Sequence, residues 1–272
     1  MRQLLRHLRA LPAPVKIAAW NVNSIRARLP VVLDWLDQAR PDVLLLQETK
    51  VTSEQFPAEP FEDRGCNVVA RGEAGGRNGV AILAKRPIED VRERLPGDDD
   101  DREARYLEAV VDCVRVASVY VPNGTRVGSD RFAYKLAFFD RLRAHAEDLL
   151  AFEEPLVIGG DYNAAPFPID VFDPQALDGT ICYHPAERAK LRGLLHLGLY
   201  DAFRIAEPRT RAYSWWDYQG RSWRANQGLR IDHLLLSAQA ADRLETCAID
   251  REPRAAKAPS DHVPVWCALA GS

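Results

Sequence analysis

The chain has 272 residues, 47% hydrophobic and 28% charged, enough apolar material to bury a large core in one domain or two. Its 36 Lys and Arg against 39 Asp and Glu give a formal net charge of −3. That balance neither calls for a polyanionic partner nor excludes one, because a local basic face suffices. The five cysteines (Cys66, Cys113, Cys182, Cys247 and Cys267) form no C-x-x-C pair, which points to a reduced, cytoplasmic protein and away from structural zinc. No apolar run is long enough to span a membrane.

Residues 1–14 mix Arg2, Arg6, His7 and Arg9 with Leu4, Leu5, Leu8 and Leu11 and read as a basic amphipathic extension. The domain proper is expected over 15–272. Residues 15–22 (VKIAAWNV) read as a first strand ending at Asn21 and Asn23. Pro30 suits the first turn of a helix carrying Val32, Trp35, Leu36 and Ala39, stopped by Pro41. Residues 42–47 (DVLLLQ) form a second buried strand that delivers Glu48 to its end. The glycine-rich segment 71–78 lacks a G-K-[ST] ending and a following helix, so it reads as a hairpin turn into a strand over 79–84. Residues 96–102 (PGDDDDR) read as a solvated acidic loop.

Strands are expected over 106–111 and 114–120, turning at Asp112-Cys113 and ending in Tyr120-Val-Pro-Asn-Gly. Ser129 or Asp130 caps the longest helix, to about Leu150, with an apolar stripe of Phe132, Leu136, Phe139, Leu142, Ala146 and Leu149. Residues 156–163 (LVIGGDYN) are the most informative stretch. A continuous apolar run reads as a strand buried on both faces, and it ends in two glycines, Asp161 and Asn163. The same letters also suit a strand end with Asx-turn residues. An irregular link over 167–179 and a helix from Pro185 to about Gly198 follow. The aromatic segment 213–218 precedes strands over 230–237, 247–250 and 265–269.

Polar residues recur where strands end: Asn21, Asn23, Glu48, Tyr120, Asp161, Asn163, Asp232, Asp261 and His262. Singly, each has a dull explanation as a cap, a turn residue or a satisfied core histidine. A sheet edge collecting all of them makes a pocket of carboxylates, amides and one imidazole. Carboxylate and carbonyl oxygens suit a hard cation such as Mg²⁺, and histidine and asparagine donate to phosphoryl oxygens. The reaction class is metal-assisted hydrolysis of a phosphate ester.

The motifs NVNSIRAR (21–28), LQETK (46–50), YVPNG (120–124), GDYN (160–163), YSWWDY (213–218), GLRIDH (228–233) and SDHVPVW (260–266) carry a resemblance. In this order, from about Lys16 to Leu269, the chain resembles the exodeoxyribonuclease III and abasic-site endonuclease branch of the endonuclease/exonuclease/phosphatase superfamily. The resemblance implies an α/β four-layer αββα sandwich, two packed mixed β-sheets flanked by helices as in DNase I-like proteins. It implies a DNA-repair nuclease of the bacterial cytoplasm, acting as a monomer on double-stranded DNA at abasic sites and 3′ ends, with Mg²⁺ or Mn²⁺ as cofactor.

It also implies roles. Glu48 is the principal metal ligand, with Asn21 and Asp261 in the same shell. Asp161 activates water, Asn163 and Tyr120 contact the scissile phosphate, and Asp232 holds His262 as an imidazolium facing it. Trp215, Leu229 and Ile231 match an apolar pocket for an extrahelical abasic sugar, while Asn23, Asn123, Arg131 and Asn226 are substrate contacts. Arg131 stands where the family pattern has lysine. Trp216 reads equally well as core packing. A phosphatase of the same fold acting on inositol phosphates or lipids would lack the aromatic and GLRID segments. A non-catalytic RNA- or protein-binding member would have eroded GDYN, LQET or SDH. A DNA path further requires basic residues near the edge: Arg71, Arg77, Arg126, Arg131, Lys135, Arg221 and Arg224, with the acidic run 98–101 away from it.

Overall fold

The computed structural model describes residues 14–271; the extension expected over 1–14 lies, but for Pro14, outside the described residues. Two six-stranded sheets form the centre. One holds β1 (Val15–Asn21), β2 (Val43–Gln47), β3 (Asn67–Arg71) and β4 (Val80–Ala84), joined by the late strands β11 (Leu244–Ile249) and β12 (Val265–Leu269), in the order β11-β12-β1-β2-β4-β3. The other holds β5 (Glu89–Arg92), β6 (Tyr106–Val111), β7 (Val114–Tyr120), β8 (Leu156–Asp161), β9 (Tyr200–Asp201) and β10 (Asp232–Leu236), in the order β5-β6-β7-β8-β10-β9. Among the described residues only β1 with β2 and β7 with β8 pair in parallel.

Side-chain alternation builds four layers from these sheets. Ile17, Ala19, Val43, Leu45 and Ile82 of the first sheet meet Leu107, Val116, Val157 and Leu234 of the second in one core between them. The opposite residues of the first sheet, Ala18, Trp20, Leu44 and Leu46, pack on α1 (Ile25–Ala39) and on Phe61 of the short α2 (Glu59–Glu62). The outer face of the second sheet, including Ala117, Val119 and Ile158, is covered by α3 (Asp130–Leu150) and α4 (Pro185–Leu195). The four-layer αββα sandwich is therefore present, with two shorter helices, α5 (Ala202–Ala206) and α6 (Ala238–Ala241), beside β10. Among the described residues no helix is long and apolar enough to cross a membrane.

Gly159 explains half of the double glycine. A Cβ there would lie 2.6 Å from Leu234 Cδ2 on the neighbouring strand and 2.8 Å from Leu45 Cδ1 of the facing sheet, so no side chain fits there without displacing one of them. Beside it, Gln47 Nε2 donates across the inter-sheet space to Ser118 Oγ at 2.9 Å.

Several expectations need correction. α1 begins at Ile25, not near Pro30, which sits inside the helix. The early start follows from the backbone: Ser24 N and Ile25 N donate to the carbonyls of Glu48 and Thr49 at 2.7 and 3.0 Å, docking the first turn against the end of β2. Pro30 then costs the one bond its missing N–H would have made. The edge strands β3 and β5 escaped the sequence reading, β5 because all its residues are exposed. On α3 the buried stripe takes in Lys135, Phe138 and His145, whereas Leu136 is only half-buried.

Candidate active site at the strand-end edge

Parallel pairing brings Asn21 level with Gln47 and Tyr120 level with Asp161, and antiparallel β10 sets Asp232 opposite Asp161. The ends of β1, β2, β7 and β8 and the start of β10 therefore meet at one edge. The segment before β12 reaches the same edge, where Trp20 Nε1 donates to the His262 carbonyl at 3.2 Å and Ser260 Oγ donates to the Asn21 carbonyl at 2.7 Å.

Asp161 sits at the centre, almost wholly buried. Asn21 Nδ2 donates to Asp161 Oδ2 at 2.9 Å and to Glu48 Oε1 at 2.8 Å, bridging the two carboxylates. Asn163 lies in the left-handed region at φ 47°, so the chain is no longer extended beyond Asp161. Its N–H closes an Asx turn onto Asp161 Oδ1 at 2.8 Å, and its Nδ2 donates to Asp161 Oδ2 at 3.1 Å. The turn geometry and the functional clustering are one arrangement here. Lys50 pairs with Glu48 at 2.8 Å and also donates to Asn23.

His262 faces Asp161 across 3.7 Å with Nε2, while Nδ1 lies 2.9 Å from Asp232 Oδ2. Ser214 Oγ donates to the same Asp232 oxygen at 2.6 Å. Burial alone would push the imidazole pKa down, but Asp232 and Asp161 outweigh it and hold it up at about 10. Burial is also the main reason the Asp161 carboxyl is raised well above the usual carboxylate range; Asp232 and Glu48 add to the shift, opposed by His262 and the Asn21 bond. Burial, then Glu48, raises the Tyr120 hydroxyl, and the Arg105 guanidinium stacked 4.5 Å from its ring opposes that.

These groups open into a recess of about 420 Å³. Its lining combines the polar Glu48, Tyr120, Asn123, Asn163, Asp261 and His262 with Ile181, Cys182, Trp215, Leu229 and Ile231. Trp215 is held by bridges to Leu229 and His262 and by its Nε1 donating to Asp261 Oδ2 at 3.0 Å. Asn23 Nδ2 takes the other Asp261 oxygen at 3.0 Å.

The sequence matches the pattern of the endonuclease/exonuclease/phosphatase family over residues 18–262. The chain belongs to that family. It is 33% identical to exodeoxyribonuclease III of Haemophilus influenzae, an alignment covering 93% of this chain and 98% of that one. Among solved structures it is similar to an AP endonuclease from Archaeoglobus fulgidus (TM-score 0.90, 37% identity, 94% and 99% of the two chains). It is likewise similar to a 3′–5′ exonuclease from Neisseria meningitidis (TM-score 0.91, 39% identity, 95% and 100%).

Within this family fold, the donor set can be tested against a cation. Ligand atoms of Glu48, Asp161 and His262 lie within 4.8 Å of one another. The imidazole is committed to Asp232, so carboxylate oxygens remain; Glu48, Asp161 and Asp232 face the Lys50 ammonium and the His262 imidazolium, which leaves one negative charge to be neutralised. That fits a hard, oxygen-loving divalent ion. Asn21 turns a donor, Nδ2, toward both carboxylates, so here it bridges them and offers no oxygen. Asp261 lines the recess but is not among those donor atoms; its two oxygens accept from Asn23 and Trp215.

Three expected substrate contacts do not line the recess: Asn23 touches it only through Asp261, and two others lie elsewhere. Arg131 forks onto Glu103, at 2.6 Å for Nη1 and 3.0 Å for Nη2, and stacks on Tyr134. Asn226 lies in the exposed loop, its Oδ1 accepting from Trp216 Nε1 at 3.2 Å and Arg251 Nη2 at 3.0 Å. Trp216 is wholly buried core. Sequence reading missed Ile181 and Cys182, which lie in a stretch without periodicity. It also missed Ser214, whose only signal was its place beside Trp215.

Proposed function

We propose that this chain is a metal-dependent DNA-repair nuclease that hydrolyses phosphodiesters of duplex DNA, cleaving 5′ to abasic sites and trimming 3′ ends. The observation that carries the reading is one recess whose lining combines two chemistries. Asn163, Tyr120 and His262 offer polar groups to a phosphate, with buried Asp161 in contact with Asn163 and His262, and Trp215, Leu229, Ile231 and Ile181 present an apolar face. A sugar with no base fits against such a face, and selection follows from excluding the base. The AP endonuclease and exonuclease among its structural neighbours support the same substrate class.

In this reading Asp161 orients the attacking water and accepts its proton. Asn21 and Asn163 fix its carboxylate for that task. The His262 imidazolium, kept charged by Asp232, donates to a phosphoryl oxygen as negative charge builds on it. Asn163 and Tyr120 hold the phosphate so that water stands in line with the departing 3′ oxygen. The P–O3′ bond breaks, the water oxygen joins phosphorus, and the leaving oxygen takes up a proton. Glu48, with Asp161 beside it, would hold Mg²⁺ or Mn²⁺, which when bound supplies Lewis-acid neutralisation of phosphate charge.

A labelled duplex with one internal abasic site tests the proposal. Cleavage to a 3′-hydroxyl product is expected with Mg²⁺, loss with EDTA, and a fall of orders of magnitude in Glu48→Gln. Full activity in EDTA would remove the reading; cleavage of an inositol phosphate but no duplex would replace it.

A further inference from the structure

Lys135 looks from its sequence position like a cation for the DNA backbone, yet its side chain is 0% exposed, as is that of its partner Glu187. Its ammonium donates to the carbonyl of Asn163 at 2.7 Å, to the carbonyl of Asn123 at 3.0 Å, and to the Glu187 carboxylate. Three segments thus converge on one group: the loop after β7, the loop after β8, and the first turn of α4. Glu187 is fixed in turn, its Oε2 accepting from His184 N at 2.9 Å. Space for the lysine stem is made by Gly124 at φ +91°, where a Cβ would lie 3.1 Å from Lys135 Cδ.

A buried ion pair is a poor device for stability, since desolvating two charges offsets most of their attraction. An ammonium has another use: three donors in fixed directions. Here two of them set the backbone under the two asparagines that line the recess. The side chains above are coupled as well, Asn123 Nδ2 donating to Asn163 Oδ1 at 3.0 Å and Asn163 Nδ2 to the Val121 carbonyl at 3.0 Å. We infer that Lys135 is a positioning residue, acting through the Asn163 and Asn123 carbonyls to hold the Asn163 amide against Asp161 and to keep the Asn123 amide at the recess. This rests on the recess being the phosphodiester site. Displacing a positioned group by about 1 Å costs about 10²-fold in rate, so a lysine that touches no substrate can still govern turnover.

The test is cleavage of the abasic duplex in Mg²⁺, with thermal unfolding followed in parallel. Lys135→Met is made together with Glu187→Gln, so that no unpaired charge is left buried. The expected result is kcat lower by about 30–100-fold with KM within about threefold, and no further loss when the pair is added to Asn163→Ala. Unchanged kcat, or a loss that adds in full to Asn163→Ala, overturns the inference. If the double variant does not fold, Glu187→Gln alone decides. It keeps both carbonyl bonds, so it should lose stability while holding kcat within about threefold; a kcat loss beyond about tenfold would place the effect in the ion pair and overturn the assignment. Wild-type protein that cleaves no duplex substrate overturns the functional reading and this inference with it. A wild type that cleaves, with an unimpaired double variant, sinks the inference alone.

Discussion

His262 shows how a residue with a dull default explanation acquires a chemical one. A core histidine is neutral and satisfied; this one is buried yet held charged because two carboxylates flank it, Asp232 at 2.9 Å and Asp161 at 3.7 Å. Asp232 reaches the phosphate through His262 in this arrangement. His262→Ala and Asp232→Ala should therefore each lower kcat/KM by about 10²–10⁴-fold, and the double variant should be little worse than the more severe single. Losses that multiply in full would separate the two residues, and a folded, fully active His262→Ala protein would remove the role. Glu103 offers a different residue-scale prediction. Although its partial burial opposes ionisation, the Arg131 and Arg105 guanidinium groups hold its pKa at about 2. A carboxylate depressed in the folded state stabilises fully above its unfolded value, and loses that contribution as pH falls through the folded one. The stability gap between wild type and Glu103→Gln should thus be present at pH 6 and close between about pH 4.5 and 2. A gap of constant size down to pH 2 in thermal melts would contradict the pairing.

Elements were legible where burial wrote a pattern and illegible where it did not. β12 and the core of β8 are readable because each is an apolar run with turn residues at its ends. β5 carries Glu89, Asp90 and Arg92, all exposed, and nothing in such letters marks a strand held by pairing with β6 and by the Arg115–Asp90 ion pair. The start of α1 was hidden for a different reason: it is set by the carbonyls of Glu48 and Thr49, more than twenty residues away in sequence. The site residues on strand ends stood out as polar breaks in apolar runs, whereas Ile181 and Cys182 reach the recess from an irregular link. Gly159 marks a tight constraint on the strand that carries Asp161. Gly159→Val should destabilise the protein by about 1–3 kcal/mol or more, because its side chain must displace Leu234 and Leu45 between two sheets. Chemical denaturation measures this directly, and a variant within about 0.5 kcal/mol of wild type would show that the sheets separate more easily than their packing indicates.

At the scale of the whole molecule, the question is how a chain of net charge −3 holds a polyanion. The sequence offered seven basic residues, and the fold removes several. Lys135 is buried, Arg131 is spent on Glu103, and Arg71 donates to the Arg102 carbonyl. Asp101, the last of the acidic run, is pinned to Tyr134 and Arg141 of α3. Arg77, Arg126, Arg221 and Arg224 remain exposed. Arg221 and Arg224 belong to the loop that leaves Trp215 at the recess, and with Tyr218, Trp223 and Arg254 they line an adjoining cleft of about 460 Å³. A duplex whose abasic sugar enters the recess would run over this loop. Reversing both charges, Arg221→Glu with Arg224→Glu, should weaken duplex binding and flatten its dependence on salt, by a log–log slope of about 0.9 for each phosphate that is no longer neutralised. Thermal unfolding should be unchanged, since neither side chain is buried. Binding isotherms across a range of salt concentrations decide it. Wild-type affinity and wild-type slope in the double variant would take this loop off the DNA path and leave Arg77 and Arg126 as the cations to reverse next.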